Sequence, residues 1–425
     1  MHKLREALHQ YDPSTKRTDG PFDRWQRADF VEDLIAQTRN TAPEYVAQTL
    51  EMVEQLEHAV VKTAPVKRLH DILMLDRAPV NTEKKPTVHN RFQHSELLSH
   101  LSMTIGLRLQ LPQQDVLAMM LAGWLHDSGH TAFAHAGEDA LNDIFKKNPR
   151  FDHEQISHTH VDSTDIQEIC TKLNINSQSV HDIIDEEGVL GTLQSACDTL
   201  SYLLLDLSET GRENLFTLED AKHILETIQE VGIFDGEQML VVSSIEPWQK
   251  LLDIRAMMYR EVYHSFAARI ADKALSLLLS HAADKHLIEE STIIQGHDRE
   301  LVVTLHSFVY GPSSLPGGLS LPEDGPLFSL AMGQYPNIDW TQTVYNTQEE
   351  ARAHTSNTAF IEPTHIVPRK KRLKLLITGT DIPVTLTAKE HQETEPMRWV
   401  VLEPVQKENS DTTNKENSDT TNLDT

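Results

Sequence analysis

The sequence predicts a mainly α-helical protein with a smaller α/β region toward its C-terminus. Three observations carry that prediction. From His94 to about Ala283 the apolar residues recur with a period near 3.6, and prolines are few. After residue 285 the pattern breaks into short runs separated by turn residues. Val302, Val303, Phe308 and Val309 look strand-like, as do Leu373 to Thr378 and Trp399 to Leu402; Gly311-Pro312, Pro316-Gly317-Gly318, Pro322 and Gly325-Pro326 punctuate the region. Finally, KENSDTTN at 407–414 recurs at 415–422 with no apolar residue to bury, which predicts a disordered tail. The resulting division is 1–60, an N-terminal helical segment; 61–285, the helical domain; 286–404, the α/β region; and 405–425, the tail.

Within the first segment, Phe30, Val31, Leu34 and Ile35, then Val46, Leu50, Val53 and Leu56, step by threes and fours after Gly20-Pro21. Pro65 and the stretch Ala78 to Pro86 mark the passage into the helical domain. The 425 residues, at roughly 150 per domain, suit two to three domains. With 39% apolar and 24% charged residues the chain is not disordered as a whole. Acidic residues outnumber basic ones 64 to 38, a net charge of −26. That balance repels nucleic-acid backbones and anionic lipid surfaces, so nonspecific binding to either is not expected. Cys170 and Cys197 are too few for a disulfide framework, which suits the cytoplasm. The first residues carry no apolar stretch of the signal-peptide kind and no apolar run reaches 18 residues, so neither a secretory leader nor a membrane span is expected. The basic run RKKRLK (369–374) reads as a solvated strand edge, with binding of an anion or a neighbouring subunit as the alternative.

Nine of the 23 histidines fall between His89 and His160, and histidine is both the commonest metal ligand and the commonest general acid/base. His-Asp occurs four times, so context must separate the copies. His126-Asp127 ends the run VLAMMLAGWL (116–125), apolar on nearly every face and therefore a buried helix, with Gly129 placed to break it. Two polar side chains there must be paired or metal-bound; a buried His–Asp hydrogen bond is the plainer alternative. His94 lies one turn before Leu97 and Leu98 of an inward stripe that continues through Leu101 and Ile105, so it points into the core, as a ligand or as a satisfied core histidine. Asp198, Tyr202 and Asp206 recur at i, i+4 and i+8 and share one helix face, either functional or solvated. Together these supply two histidines and two aspartates from three helices, a set suited to Zn²⁺, Fe²⁺ or Mn²⁺ with positions left open.

The stretches HNRFQHSE (89–96), WLHDSGHTAFAHAGEDAL (124–141), FDHEQIS (151–157), CDTLSYLLLD (197–206) and RAMMYREVYH (255–264) resemble the HD-domain metal-dependent phosphohydrolases, and within them the deoxynucleoside triphosphate triphosphohydrolases. The resemblance covers about 175 residues, and the extended HDxGHxxFxHxGE string followed by FxHExxS is its specific part. It implies an HD-domain helical core and a divalent metal (Mn, Fe, Zn, Mg or Ni) on His94, His126, Asp127 and Asp198. It implies His135 and Glu138 as a catalytic pair, the carboxylate orienting the imidazole, and His130 and His153 as histidines facing the phosphates. Arg91 and Arg255 match phosphate-clamping arginines, Tyr202 and Asp206 match residues on the substrate's sugar side, and Tyr263 is a further substrate-binding candidate. A nucleotide substrate and a homo-oligomer are implied as partners. The chain departs from the pattern at Thr199, where some members carry lysine, and in APVKRLHDILMLD (64–76), where Met74 replaces a glutamine and His70 an arginine. Another phosphoester (a nucleoside monophosphate, cyclic nucleotide or alarmone) and a non-catalytic nucleotide-binding scaffold are the alternatives that this leaves.

Overall fold

A computed structural model describes residues 42–75, 89–146 and 149–310, the strand segments 340–345, 360–363, 372–378, 383–387 and 399–404, and a few single positions. The expectations for Phe30 to Leu34, for 78–86, for the turn residues between 311 and 326 and for the repeated tail lie outside the described residues. The helices run in chain order: α1 (Pro43–Val60), α2 (Ala64–Arg68), α3 (Arg91–Arg108), α4 (Gln113–Leu125), α5 (Ala134–Phe145), α6 (His153–Val161), α7 (Thr164–Leu173), α8 (Ser177–Ile184), α9 (Gly188–Glu209) and α10 (Leu218–Thr227). After the strands β1 (Ile228–Phe234) and β2 (Glu237–Val242) come α11 (Glu246–Met258), α12 (Phe266–Asp284), α13 (Glu290–Gln295) and α14 (Asp298–Tyr310). The remaining strands are β3 (Trp340–Tyr345), β4 (Phe360–Pro363), β5 (Arg372–Ile377), β6 (Pro383–Thr387) and β7 (Trp399–Pro404).

The contacts divide the chain into two units, 1–336 with 365–396 and 337–364 with 397–425. In the first, α3, α4 and α9 form the centre. Val116 through Leu125 of α4 are all buried, as an all-round apolar helix must be. Helix α3 is buried on almost every face yet carries polar residues, because its neighbours satisfy them: Ser99 donates to Met120 O, and Ser102 donates to Gln194. Asn90 starts α3 through a reciprocal capping box with Gln93. The second unit is a three-stranded antiparallel sheet in the order β3-β7-β4.

Two features correct the sequence reading. Val302, Val303, Phe308 and Val309 belong to helix α14, not to a strand. Leu301, Leu305, Phe308 and Val309 are buried at helical spacing while Val303 is 59% exposed, so burial at i, i+4, i+7 and i+8 overrides the β-branched composition. The helical domain also contains a hairpin. Asp235 and Gly236 both have positive φ (51° and 80°) and turn β1 antiparallel into β2, the geometry that Asp-Gly favours. β2 then pairs in parallel with β5, and β5 antiparallel with β6, giving the order β1-β2-β5-β6. Within the basic run, Arg372 to Lys374 pair with β6, whereas Leu375 and Leu376 beyond it are flanked by β2 and β6.

Candidate metal centre and its histidine cluster

Three helix segments bring four donors together. His94 sits on the first turn of α3, His126 and Asp127 follow the last turn of α4, and Asp198 lies mid-way along α9. His94 Nε2 is 3.1 Å from His126 Nε2, 3.2 Å from Asp198 Oδ1 and 3.6 Å from Asp127 Oδ2. His126 Nε2 is 3.4 Å from Asp127 Oδ1 and 3.7 Å from Asp198 Oδ1.

The far sides of the two rings fix their tautomers. His126 Nδ1 lies 2.9 Å from Gly123 O, which can only accept. Ser201 Oγ donates to Asp198 O at 2.9 Å, so it accepts from His94 Nδ1 at 3.0 Å. Both Nδ1 atoms therefore carry the hydrogen, and both Nε2 lone pairs face one another between two carboxylates. Such a convergence of Lewis bases fits a divalent cation, whose bonds of about 2.1 Å set neighbouring donors about 3 Å apart. The residues present fit the metal that the motif implies.

Charge reinforces the arrangement. Burial alone would raise the Asp127 carboxyl, but ion pairing with Arg91 and the nearby histidines hold it well below the usual carboxylate range. Asp198 is likewise held down against burial by its bond to His94. Burial pushes the His126 imidazole down; for His94, burial is outweighed by Asp198 and Asp127, which push it up.

A second cluster adjoins the first. Imidazoles of His130, His135 and His153 and the Glu138 carboxylate bring ligand atoms within 4.8 Å of one another. The rings of His130 and His153 stack at 3.8 Å, and His135 stands edge-on to both. Burial and the Arg91 charge push His130 well below the ordinary histidine value. His135 is exposed on one side, yet the protein packed around its other side and the charges of Arg91 and His153 push it in the same direction. Glu138 hydrogen-bonds His153 Nδ1 at 2.8 Å, so the carboxylate orients the imidazole across from α6 rather than His135 on its own helix, which is where the sequence reading had paired it.

Backbone strain and two glycines shape this corner. Phe133 and Ala134 enter α5 in the left-handed region (φ 61° and 48°), which costs on the order of 1–3 kcal/mol per residue. Asp298 holds that turn by accepting from Phe133 N at 2.6 Å and, through its other oxygen, from Leu73 N at 2.8 Å. A side chain on Gly129 would meet His153 O at 2.1 Å, and one on Gly137 would meet Ala132 O at 1.8 Å. Only glycine lets α6 and the turn dock this closely.

Toward the other side, Arg255 donates from Nε to Tyr202 OH at 2.8 Å and lies 4.3 Å over the Tyr259 ring. A π-helical turn, Tyr259–Tyr263, follows α11 and delivers Tyr263 OH to Asp206 Oδ2. Asp206 Oδ1 is 3.0 Å from His89 Nε2 but poorly aligned for a hydrogen bond. Burial raises the Tyr202 and Tyr263 hydroxyls, which stay protonated. Arg91 is buried against Asp127 and its Nε has no hydrogen-bond partner. Thr199 Oγ1 donates to Ser195 O, so no cation stands in that position. The sequence reading gave no role to Ser201, His89, Tyr259 or Asp298. Ser201 was within reach of it, being three residues after Asp198 on one helix.

No family model matches the sequence. Over 153 residues the chain is 28% identical to a deoxyguanosinetriphosphate triphosphohydrolase-like protein of Clostridium perfringens, covering 33% of this chain and 43% of that protein. A 63-residue stretch is 43% identical to a protein of the same name from Ralstonia nicotianae, 15% of this chain and 16% of the relative. Over 251 residues it is 28% identical to an uncharacterised protein of Mycoplasma genitalium, 55% and 57% of the two chains. The matches thus span less than half the length of the first of these relatives. A crystal structure of a phosphohydrolase from Bacteroides thetaiotaomicron superposes with a TM-score of 0.58 at 15% identity, covering 82% of this chain and 95% of that one, which shows a shared fold.

Proposed function

We propose that this chain, which sequence and fold relate to the HD-domain phosphohydrolases, is a metal-dependent hydrolase that splits a (deoxy)nucleoside 5′-triphosphate into nucleoside and inorganic triphosphate. The observation that carries the reading is the pair of bare Nε2 atoms on His94 and His126, facing each other between Asp127 and Asp198. A metal ion held there would supply an activated water and polarise a phosphoryl oxygen. Arg255, set by Tyr202 and Tyr259, binds the phosphate chain, and the unpartnered Nε of buried Arg91 is available to a second phosphate oxygen. Asp206, with one oxygen on Tyr263, accepts from the sugar through the other.

Water oxygen bonds to the α-phosphorus as the bond from phosphorus to the 5′-oxygen breaks. The water's proton passes to a neutral imidazole of the histidine cluster, and the 5′-oxygen takes up a proton from that cluster. His153 suits this work because Glu138 fixes its Nδ1–H and leaves Nε2 free to carry a proton. The test is incubation of the purified chain with Mn²⁺ and each dNTP and NTP in turn. Nucleoside and tripolyphosphate are the expected products, and their absence from every reaction, with metal bound, removes the proposal. Thr199 favours a second reading, because one cation fewer on the phosphates suits a shorter chain. Release of orthophosphate from a nucleoside monophosphate would establish it.

A further inference from the structure

A second pair of imidazoles, on the surface where α6 meets α8, also turns two ring nitrogens toward each other. His158 Nε2 lies 2.8 Å from Asp185 Oδ1, and His181 Nε2 lies 3.0 Å from Asp162 Oδ1. Ionised carboxylates only accept, so each Nε2 carries the hydrogen. The two Nδ1 atoms, left as lone pairs, face each other at 2.6 Å. Two neutral lone pairs do not rest at that distance without a positive charge to share. The side chains of His158 and His181 are 16% and 17% exposed, and those of their carboxylate partners 45% and 67%, so an ion from solvent can reach the pair.

We propose that His158 and His181 form a second divalent-metal site, for a late first-row ion such as Zn²⁺, that ties α6 to α8. Three features support a metal. A carboxylate behind each ring is the arrangement that orients metal-ligating histidines and raises their basicity. The surroundings are electronegative: burial, and repulsion from Asp152, Asp185 and Glu186, push the nearby Glu154 carboxyl up. Both histidines also sit in the last turns of their helices, where the free carbonyls favour a cation. With tetrahedral bonds of about 2.1 Å the ring nitrogens part to about 3.4 Å, a rotation that side chains at the surface can make, and water completes the coordination. The site shares no ligand with the His94–Asp198 centre, so each is tested separately.

The experiment is equilibrium dialysis against Zn²⁺ followed by elemental analysis, in a His126→Ala background that disables the first centre. The His126→Ala chain is expected to hold one more Zn²⁺ per chain than the His126→Ala/His181→Ala chain. Equal zinc contents overturn the proposal, and are the outcome if the pair shares only a proton. As a second measurement that spares both ligands, Asp185→Asn should weaken that zinc about 10- to 100-fold. Unchanged affinity in Asp185→Asn would likewise overturn the assigned geometry.

Discussion

The two adjoining groups of side chains differ in how their protons are arranged. Around His94, His126, Asp127 and Asp198, hydrogen-bond partners behind the rings turn two lone pairs inward, and Arg91 keeps Asp127 ionised. Around His130, His135 and His153 the partners are other imidazoles and two carboxylates, Glu138 on His153 and Asp127 at 3.3 Å from His130, and burial pushes His130 and His135 toward the neutral form. Under the proposed function the first group attracts a cation and the second exchanges a proton. The contrast is that a histidine's hydrogen placement follows from what its far nitrogen touches, more than from how many histidines surround it.

Replacing a donor of the first group should have the largest effect. His126→Ala or Asp198→Ala is expected to lose bound metal and turnover together, read by elemental analysis beside the product assay. Replacement within the second group should separate the two: His153→Ala keeps its metal while kcat falls about 10²- to 10⁴-fold. Metal loss in His153→Ala would erase the distinction between the groups. A smaller effect is expected at Asp298, which pins the strained turn leading to the second group. Asp298→Ala should cost about 1–3 kcal/mol of stability by denaturant unfolding, since it strands two backbone donors. The smallest concerns pH. An ordinary histidine titrates near 6.5, whereas His135 is pushed down when folded. Below 6.5 the unfolded chain therefore takes up a proton that the folded chain refuses, and stability falls as the pH drops. In the metal-stripped protein, His135→Gln should flatten that fall between pH 6.5 and 4; an unchanged slope would show that His135 is not held neutral.

Much of this was legible in the sequence because its spacing is local. The inward position of His94, the buried run before His126 and the shared face of Asp198, Tyr202 and Asp206 follow from helical periodicity alone. What escaped involved either distant partners or a misweighted preference. Asp298 reaches Phe133 across 165 positions, and Glu138 chooses His153 on α6 over His135 on its own helix; neither has a local signature. The β1–β2 hairpin did carry one in Asp235-Gly236, which a prevailing helical period obscured. Val302 and Val303 invited a strand because β-branched residues favour one, although Leu301, Leu305 and Phe308 already spelled a helix.

That hairpin has a consequence for how the protein is made. β2 emerges from the ribosome about 130 residues before its third strand, β5, exists to pair with it. Until then its outer rim presents unpaired peptide groups to whatever strand passes by, so Leu240 to Val242 are an open edge for mispairing in newly made chains.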